Sequence, residues 1–323
     1  MAGIVGLGTT FNLPNYVGEL FNTSTEDTPF LSAIGGLTGG RAVNSTVFTW
    51  STYDLRQAEA TRQRLEGADA PDAEERVRAQ ASNTLEIHQE KVSVSYTKQA
   101  ATGNLKASST ADPFVGGANA VQDELAWQLQ QAFKQVARDV EKSFLQGTYL
   151  LPPDNGQARR TRGLLEAIST NSTDAAGAAL TEDLVLDLMQ SVWDTGGIQE
   201  SETRTLICGS WVKRQLSTIF IKNNNYQEMT RSVGGVNLQT IETDFGRTNI
   251  MLNRYMPAEQ LAVVSMEDCT PVFLEIPGKG HFFAEPLAKT GSSENVQLYG
   301  EIGLDYGNEQ KHGKLYGLST AGS

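Results

Sequence analysis

Between residues 119 and 146 apolar side chains recur at three- and four-residue steps: Val121, Leu125, Leu129, Ala132, Val136, Val140 and Phe144. That spacing places them on one face of a helix. No proline or glycine interrupts the run, and Gly147 stands where a C-terminal cap belongs. At 1.5 Å per residue its 28 positions would reach about 42 Å, which suits a spine along one edge of a protein. Thr181–Thr195 predicts a second helix. Thr181 caps it, Glu182 and Asp183 sit at its positive end, and Leu184, Leu188 and Val192 form its apolar face before Gly196-Gly197. A third runs over Trp211–Lys222 behind Ser210 as cap. A short one starts near Thr28-Pro29, since proline suits a first turn, and stops at Gly35-Gly36.

Elsewhere the period is two. Val43–Tyr53 is rich in Thr, Val and aromatics, which favour strands. Val92, Val94 and Tyr96 alternate with Ser93, Ser95 and Thr97. Residues 205–208 (TLIC) read as a buried strand, and from Val236 onward the pattern is strand after strand. The longest, close to the C-terminus, sets Val296, Leu298, Gly300, Ile302, Leu304 and Tyr306 against a polar face, and so predicts a half-buried strand. The fold class is α+β.

Two segments resist this division. Residues 1–45 are rich in Gly, Asn, Thr and Pro, with isolated apolar anchors that include Tyr16, Phe21 and Phe30; they read as an arm laid on something else. Residues 55–84 hold 11 charges, five Arg and six acids, and few large apolar residues. Such a stretch buries too little apolar surface to offset its ordering entropy alone. Two readings stand: a disordered loop, or a long two-stranded flap ordered by ion pairs with neighbouring chains. Mixed signs suit matching against a partner.

The chain has 323 residues, room for roughly two domains. Its formal charge of −12 argues against a free-standing nucleic-acid binder, which would carry a basic excess. Two distant cysteines, Cys208 and Cys269, make neither a disulfide framework nor a zinc pattern and point to a reducing compartment. The first twenty residues have no basic start and no long apolar run, so neither a signal peptide nor a membrane span is expected.

Three motifs suggest chemistry and fail on context. Asp244-Phe245-Gly246 matches the magnesium-binding triplet of kinases, but no HRD occurs, and GIVGLGTT at 3–10 lacks the third glycine of the GxGxxG spacing and a preceding strand. A hairpin turn fits better, with Gly246 supplying a positive φ and Phe245 packing. Lys289-Thr290-Gly291 matches the KTG of penicillin-binding serine acyl-enzymes, with SxxK at Ser95–Lys98 and Ser210–Lys213. Yet Ser95 falls in a predicted strand and the only YxN, at Tyr306–Asn308, comes after KTG. His88, His281 and His312 are isolated from one another. No catalytic, cofactor or metal residue is assigned, and no enzyme is expected.

The order of segments carries more information than any motif. An anchored arm, a charged two-stranded excursion, a spine helix and an α/β part ending in strands resembles the major capsid protein of tailed bacteriophages, the Hong Kong 97-type fold. PNYVGELFNTSTEDTPFLSAIGG at 14–36, DFGRTNIMLNRYMP at 244–257 and the tail at 287–318 resemble its SU-ten-like major capsid branch. The resemblance implies an N-terminal arm at 1–45, an extended loop at 46–104, a peripheral domain at 105–164 with the spine helix, an axial domain at 165–285, and a return strand with the C-terminus at 286–323. It implies a structural protein that self-assembles as hexamers and pentamers into an icosahedral shell around double-stranded DNA, bound without sequence specificity on the inner face. A separate scaffolding protein, a portal and a decoration protein would be partners, and assembly would take place in the bacterial host cytoplasm. An encapsulin-like compartment shell is the first alternative, and a soluble serine acyl-enzyme of penicillin-binding type the second and weaker one. Intersubunit contacts are expected at Tyr16, Phe21 and Phe30 in the arm, and at Arg56, Arg62, Arg64, Glu66, Glu74, Glu75, Arg76 and Arg78 in the loop.

Overall fold

The computed structural model describes residues 26–53, 58–72, 78–103, 124–199, 204–223, 240–289 and 291–320. Helix α1 (Pro29–Ile34) begins on proline, whose missing N–H costs nothing in a first turn. Strands β1 (Arg41–Val43), β2 (Val47–Tyr53), β3 (Arg78–Thr84) and β4 (Glu86–Ser95) follow, then helix α2 (Tyr96–Gly103). The longest described helix is α3 (Glu124–Gln146), with a short α4 (Leu164–Ala167) and strand β5 (Ser172–Asp174) behind it. Next come α5 (Glu182–Asp194), β6 (Arg204–Cys208) and α6 (Ser210–Ser217), which continues as a π-helix over Thr218–Asn223. The rest is strands: β7 (Thr240–Thr243), β8 (Gly246–Leu252), β9 (Leu261–Ser265), β10 (Thr270–Leu274), β11 (Phe282–Pro286), β12 (Ser293–Asp305) and β13 (Gly313–Tyr316).

The chain divides into two compact units. The smaller draws its described residues chiefly from Gln89–Gln135 and Ala284–Leu298; the larger comprises Asp27–His88, Val136–Phe283 and Tyr299–Ser323. In the smaller, the Tyr96 amide donates to Ser292 O at 3.1 Å, and Gln89 and Gln99 bond Gln297 and Glu294 at 2.9 and 3.0 Å.

The larger unit is built on a six-stranded mixed sheet in the order β5-β13-β9-β6-β8-β7. Strand β9 is buried along its whole length, as its unbroken LAVVS predicts for a strand covered on both faces. On one face Leu206 and Cys208 of β6 and Leu261 and Val263 of β9 meet Val185, Leu188 and Val192 of α5 and Val212 and Leu216 of α6. The Thr181 hydroxyl accepts from the Leu184 N–H at 3.3 Å, and Glu182 and Asp183 occupy the first turn, as the sequence predicts. A second sheet runs β1-β10-β12-β11, with β4 also on β12. Strands β2 and β3 pair antiparallel as a two-stranded sheet, from Val47 opposite Thr84 to Tyr53 opposite Arg78.

A buried carboxylate joins three distant pieces of the larger unit. Glu141 on α3 is fully enclosed. It accepts the N–H of Phe30 at 2.9 Å and of Leu31 at 2.6 Å, two of the first amides of α1, which lack partners within the helix. It also accepts from the Asn253 side-chain amide at 2.5 Å. Asn253 is held in turn by its own N–H to Cys208 O at 2.9 Å, and its side-chain oxygen accepts from Tyr255 N–H at 2.8 Å. A negative charge at a helix N-terminus is favourable, and three donors offset part of the cost of burying it.

Several expectations need correction. Residues 92–97 are not all strand: β4 ends at Ser95, whose hydroxyl accepts from Lys98 N–H at 3.3 Å and so caps α2. Tyr96 therefore leaves the alternating face and is 41% exposed. The Val43–Tyr53 strand is broken at residues 44–46, and the partner of its second half lies inside the charged stretch, at Arg78–Thr84. The third helix opens at Ser210 with Gly209 as N-cap, and widens to a π-helix from Thr218. The long C-terminal strand starts earlier, at Ser293, and is buried on both faces from Gly300 to Leu304. The spine helix is described from Glu124; residues 119–123 lie outside the described residues.

Glu141→Ala leaves three buried donors without an acceptor and is expected to lower the unfolding free energy by about 3–5 kcal/mol, read from urea midpoints. The pH dependence has two opposing parts. Burial outweighs the hydrogen bonds from Leu31, Phe30 and Asn253 and holds the Glu141 carboxyl above its ordinary value. Its folded form binds the proton more tightly, so its contribution is fully present below the unfolded pKa and is lost as pH rises through the raised folded one. Glu309 runs the other way: burial pushes it up, but donors from Thr170 and Ser169 prevail and hold it below the ordinary value. Its stabilisation is present above the unfolded pKa and is lost as pH falls through the lowered folded one. Wild type and Glu309→Gln should therefore differ at neutral pH and converge in acid.

Candidate assembly surface

The β2–β3 sheet has a fixed base and an open far end. At the base, Phe48 is buried against Leu85 and Val272. The Trp50 indole N–H donates to Gly307 O at 2.6 Å, and its ring lies edge-on to Tyr306 at 5.0 Å. Asn83, fully buried, uses both ends of its amide. Nδ2 donates to Leu304 O at 2.7 Å and Arg162 O at 3.1 Å, and Oδ1 accepts from the N–H of Thr84 and of Arg162, both at 2.8 Å. Gly303 explains how two layers come so close: a Cβ there would lie 2.9 Å from the Phe48 ring and from Thr84 O. Beside this, Arg159 pairs with Glu301 at 2.7 Å, and Glu301 also accepts the Tyr299 hydroxyl at 2.7 Å. Hence the outward face of β12 is buried where alternation alone predicted solvent.

Burial falls away along β2 from Phe48 to Tyr53, which is 71% exposed opposite an exposed Arg78. Residues 58–72 form no helix or strand and are exposed throughout except for half-buried Arg62; Leu65 is 85% exposed. Arg62 lies 3.8 Å from Glu59, whose carboxylate is exposed, and a pair so open to solvent contributes little stability. Arg64 and Glu66 are exposed. Of the other expected contacts, Tyr16, Phe21, Arg56, Glu74, Glu75 and Arg76 lie outside the described residues. Phe30 is corrected: its side chain is fully enclosed by its own chain and has no surface left for a neighbour. Sequence reasoning passed over Tyr53 and Leu65; an aromatic ending a strand and a leucine inside a charged run were the available signals.

The motifs resolve into structural parts. Asp244 and Phe245 link β7 to β8, with Thr243 paired to Gly246. The positive φ, 95°, falls on Gly246 just behind the two turn residues. The Arg204 guanidinium holds this corner, donating to Phe245 O at 2.7 Å and to Gln199 O at 3.0 Å, and Phe245 packs on the core. Ser95 is a helix cap, and the Lys289 ammonium lies 3.9 Å from Glu294 and 5.8 Å from the Tyr96 ring centre. His312 is buried, accepting from Ser265 N–H at 3.2 Å and bonded to Tyr306 O at 2.8 Å. His88 pairs with Glu86 at 2.8 Å, and His281 stacks on Phe273 at 4.4 Å between ring centres. Burial pushes the Cys208 thiol up to about 12, which leaves it a packing residue at neutral pH. Among the described residues no group of three or more His, Cys, Asp or Glu could hold a metal ion, and no helix is long and apolar enough to cross a membrane.

A small two-stranded sheet on a fixed base, a spine helix and a mixed α/β sheet together form the Hong Kong 97-type capsid fold. The capsid protein of Cyanophage A-1(L) matches with a TM-score of 0.65 over 98% of this chain and 100% of its own, at 12% identity. The holo-SrpI encapsulin from Synechococcus elongatus PCC 7942 matches with 0.57 over 96% and 94%, at 10% identity. The sequence model of the SU10 major capsid protein family covers residues 3–319, and the chain belongs to that family. It is similar to the major capsid protein of Escherichia phage Phieco32, at 24% identity over 96% of this chain and 94% of that one. The protein is thus a structural, shell-forming component of a phage virion.

Asn83→Ala removes four hydrogen bonds from the base of the β2–β3 sheet and leaves Leu304 O and Arg162 N–H to find other partners. It is expected to cost about 2–4 kcal/mol and to speed protease cleavage between residues 58 and 72. An unchanged cleavage rate would mean that Asn83 does not anchor the sheet.

Proposed function

We propose that the chain assembles as hexamers and pentamers into an icosahedral shell that encloses double-stranded DNA, held on the inner face without sequence specificity. The observation that carries this reading is the β2–β3 sheet with residues 58–72: an exposed, charge-rich extension that includes exposed Tyr53 and Leu65 and, among the described residues, has no core beyond its base. A neighbouring subunit supplies the surface it lacks. In this reading residues 1–45 act as an arm, 46–104 as the extended loop, 105–164 and 286–323 as the peripheral domain, and 165–285 as the axial domain around the capsomer centre. Tyr16, Phe21, Arg56, Arg62, Arg64, Glu66, Glu74, Glu75, Arg76 and Arg78 contact adjacent subunits, where many weak ion pairs set register more than affinity. A scaffolding protein, a portal and a decoration protein complete the particle, which is assembled in the host cytoplasm. The protein performs no catalysis.

The likeness to an encapsulin favours a second reading, a compartment for protein cargo. Electron microscopy of particles made in the presence of the packaging machinery separates the two: DNA-filled shells support the first reading, and shells that exclude DNA and hold protein support the second. Replacing Arg56, Arg62, Arg64, Arg76 and Arg78 together by Gln is expected to lower particle yield severalfold while the subunit keeps its unfolding midpoint. Wild-type yield from that variant would remove the loop charges from the assembly mechanism.

A further inference from the structure

Two helices on the same face of the six-stranded sheet carry opposite charges. Both α5 and α6 bury their apolar residues in one cluster on that face. Every charged residue of α5 is acidic: Glu182, Asp183, Asp187 and Asp194. Both charged residues of α6, Lys213 and Arg214, are basic. Asp183, Asp187 and Asp194 fall four and seven residues apart, so they line one exposed stripe of α5. Arg214 is exposed as well, and none of these three carboxylates or Arg214 forms an ion pair among the described residues.

Two further features make water a poor final surrounding for α5. Trp193, in its last turn, is 56% exposed. A large aromatic held rigidly on a helix is the kind of residue that concentrates binding energy at interfaces. Asp194 lies next to it, at the negative end of the helix dipole, and no basic residue in that turn offsets it. An arginine from another chain answers both features, since a guanidinium stacks on an indole while pairing with a carboxylate.

We propose that the α5 face of one subunit docks on the α6 face of the next, with Arg214 of one copy set against Trp193, Asp187 and Asp194 of the other. The occupant is a second copy because this chain itself carries both complementary surfaces. The two surfaces differ, so the contact is head-to-tail, the type that closes into rings. The inference rests on the shell-forming reading and specifies where subunits meet within a ring.

The test is a charge swap, with oligomer mass measured by analytical ultracentrifugation and rings scored separately from shells. Asp187→Lys with Asp194→Lys, and separately Lys213→Glu with Arg214→Glu, should each reduce ring formation at least about tenfold, because like charges then face each other. Combining all four substitutions should restore ring formation to within about threefold of wild type. Trp193→Ala should weaken rings without changing the far-ultraviolet circular dichroism, which also checks that each variant folds. Rings at wild-type level from either reversed variant, or no recovery in the combined one, overturn the contact. Wild-type rings that never close into shells would count against the shell reading and leave this contact standing; a wild-type chain that stays monomeric overturns both.

Discussion

The larger unit depends on one carboxylate. Glu141 lies near the end of α3, among the apolar residues that the helix packs inward, and it is fully buried. A charge in that position is tolerable only because three donors from two separate stretches converge on it: the opening amides of α1 and the side chain of Asn253. Apolar contacts are non-directional and allow sliding, whereas three hydrogen bonds to two oxygens admit one arrangement. The carboxylate therefore fixes where residues 29–34 and 253–255 lie on α3. The same asparagine bonds back to Cys208 at the end of β6, so the constraint extends into the central sheet.

The same logic recurs at the base of the β2–β3 sheet. Asn83 links a strand to Leu304 of β12 and to Arg162 in the loop before α4, using its donor and acceptor ends at once. Phe48 and Trp50 supply the apolar area, and Gly303 supplies the space. Firm packing thus stops at the base, and beyond it the side chains point into water. A protein that must join copies of itself needs both properties: a body that fixes the direction of an extension, and an extension that leaves its own contacts unmade.

Much of this was legible in advance. The apolar spacing of α3 and α5, the Thr181 cap, the buried TLIC strand and the Asp244–Gly246 corner all follow from local periodicity and turn chemistry, which act within a few residues. What misled was equally local. Tyr96 continues the alternation of Val92 and Val94, yet the Ser95 hydroxyl captures an amide three residues on and the chain turns helical. Residues 78–84 look like the tail of a charged loop, and they become a strand because Phe48 and Trp50 lie on a partner strand thirty residues earlier. Phe30 resembles an exposed anchor until α1 is seen docked on Glu141.

By itself the sequence determined most of the helices and strands, their order, the charged extension and the family likeness, because periodicity, capping and turn preferences are properties of neighbouring residues. Only the tertiary structure decided which polar residues are buried and what they hold. Glu141, Asn83, Asn253 and Glu301 carry nothing in their local sequence that marks them as internal. Each is stabilised by partners that folding brings from dozens to more than two hundred positions away, and a buried polar group is defined by those partners.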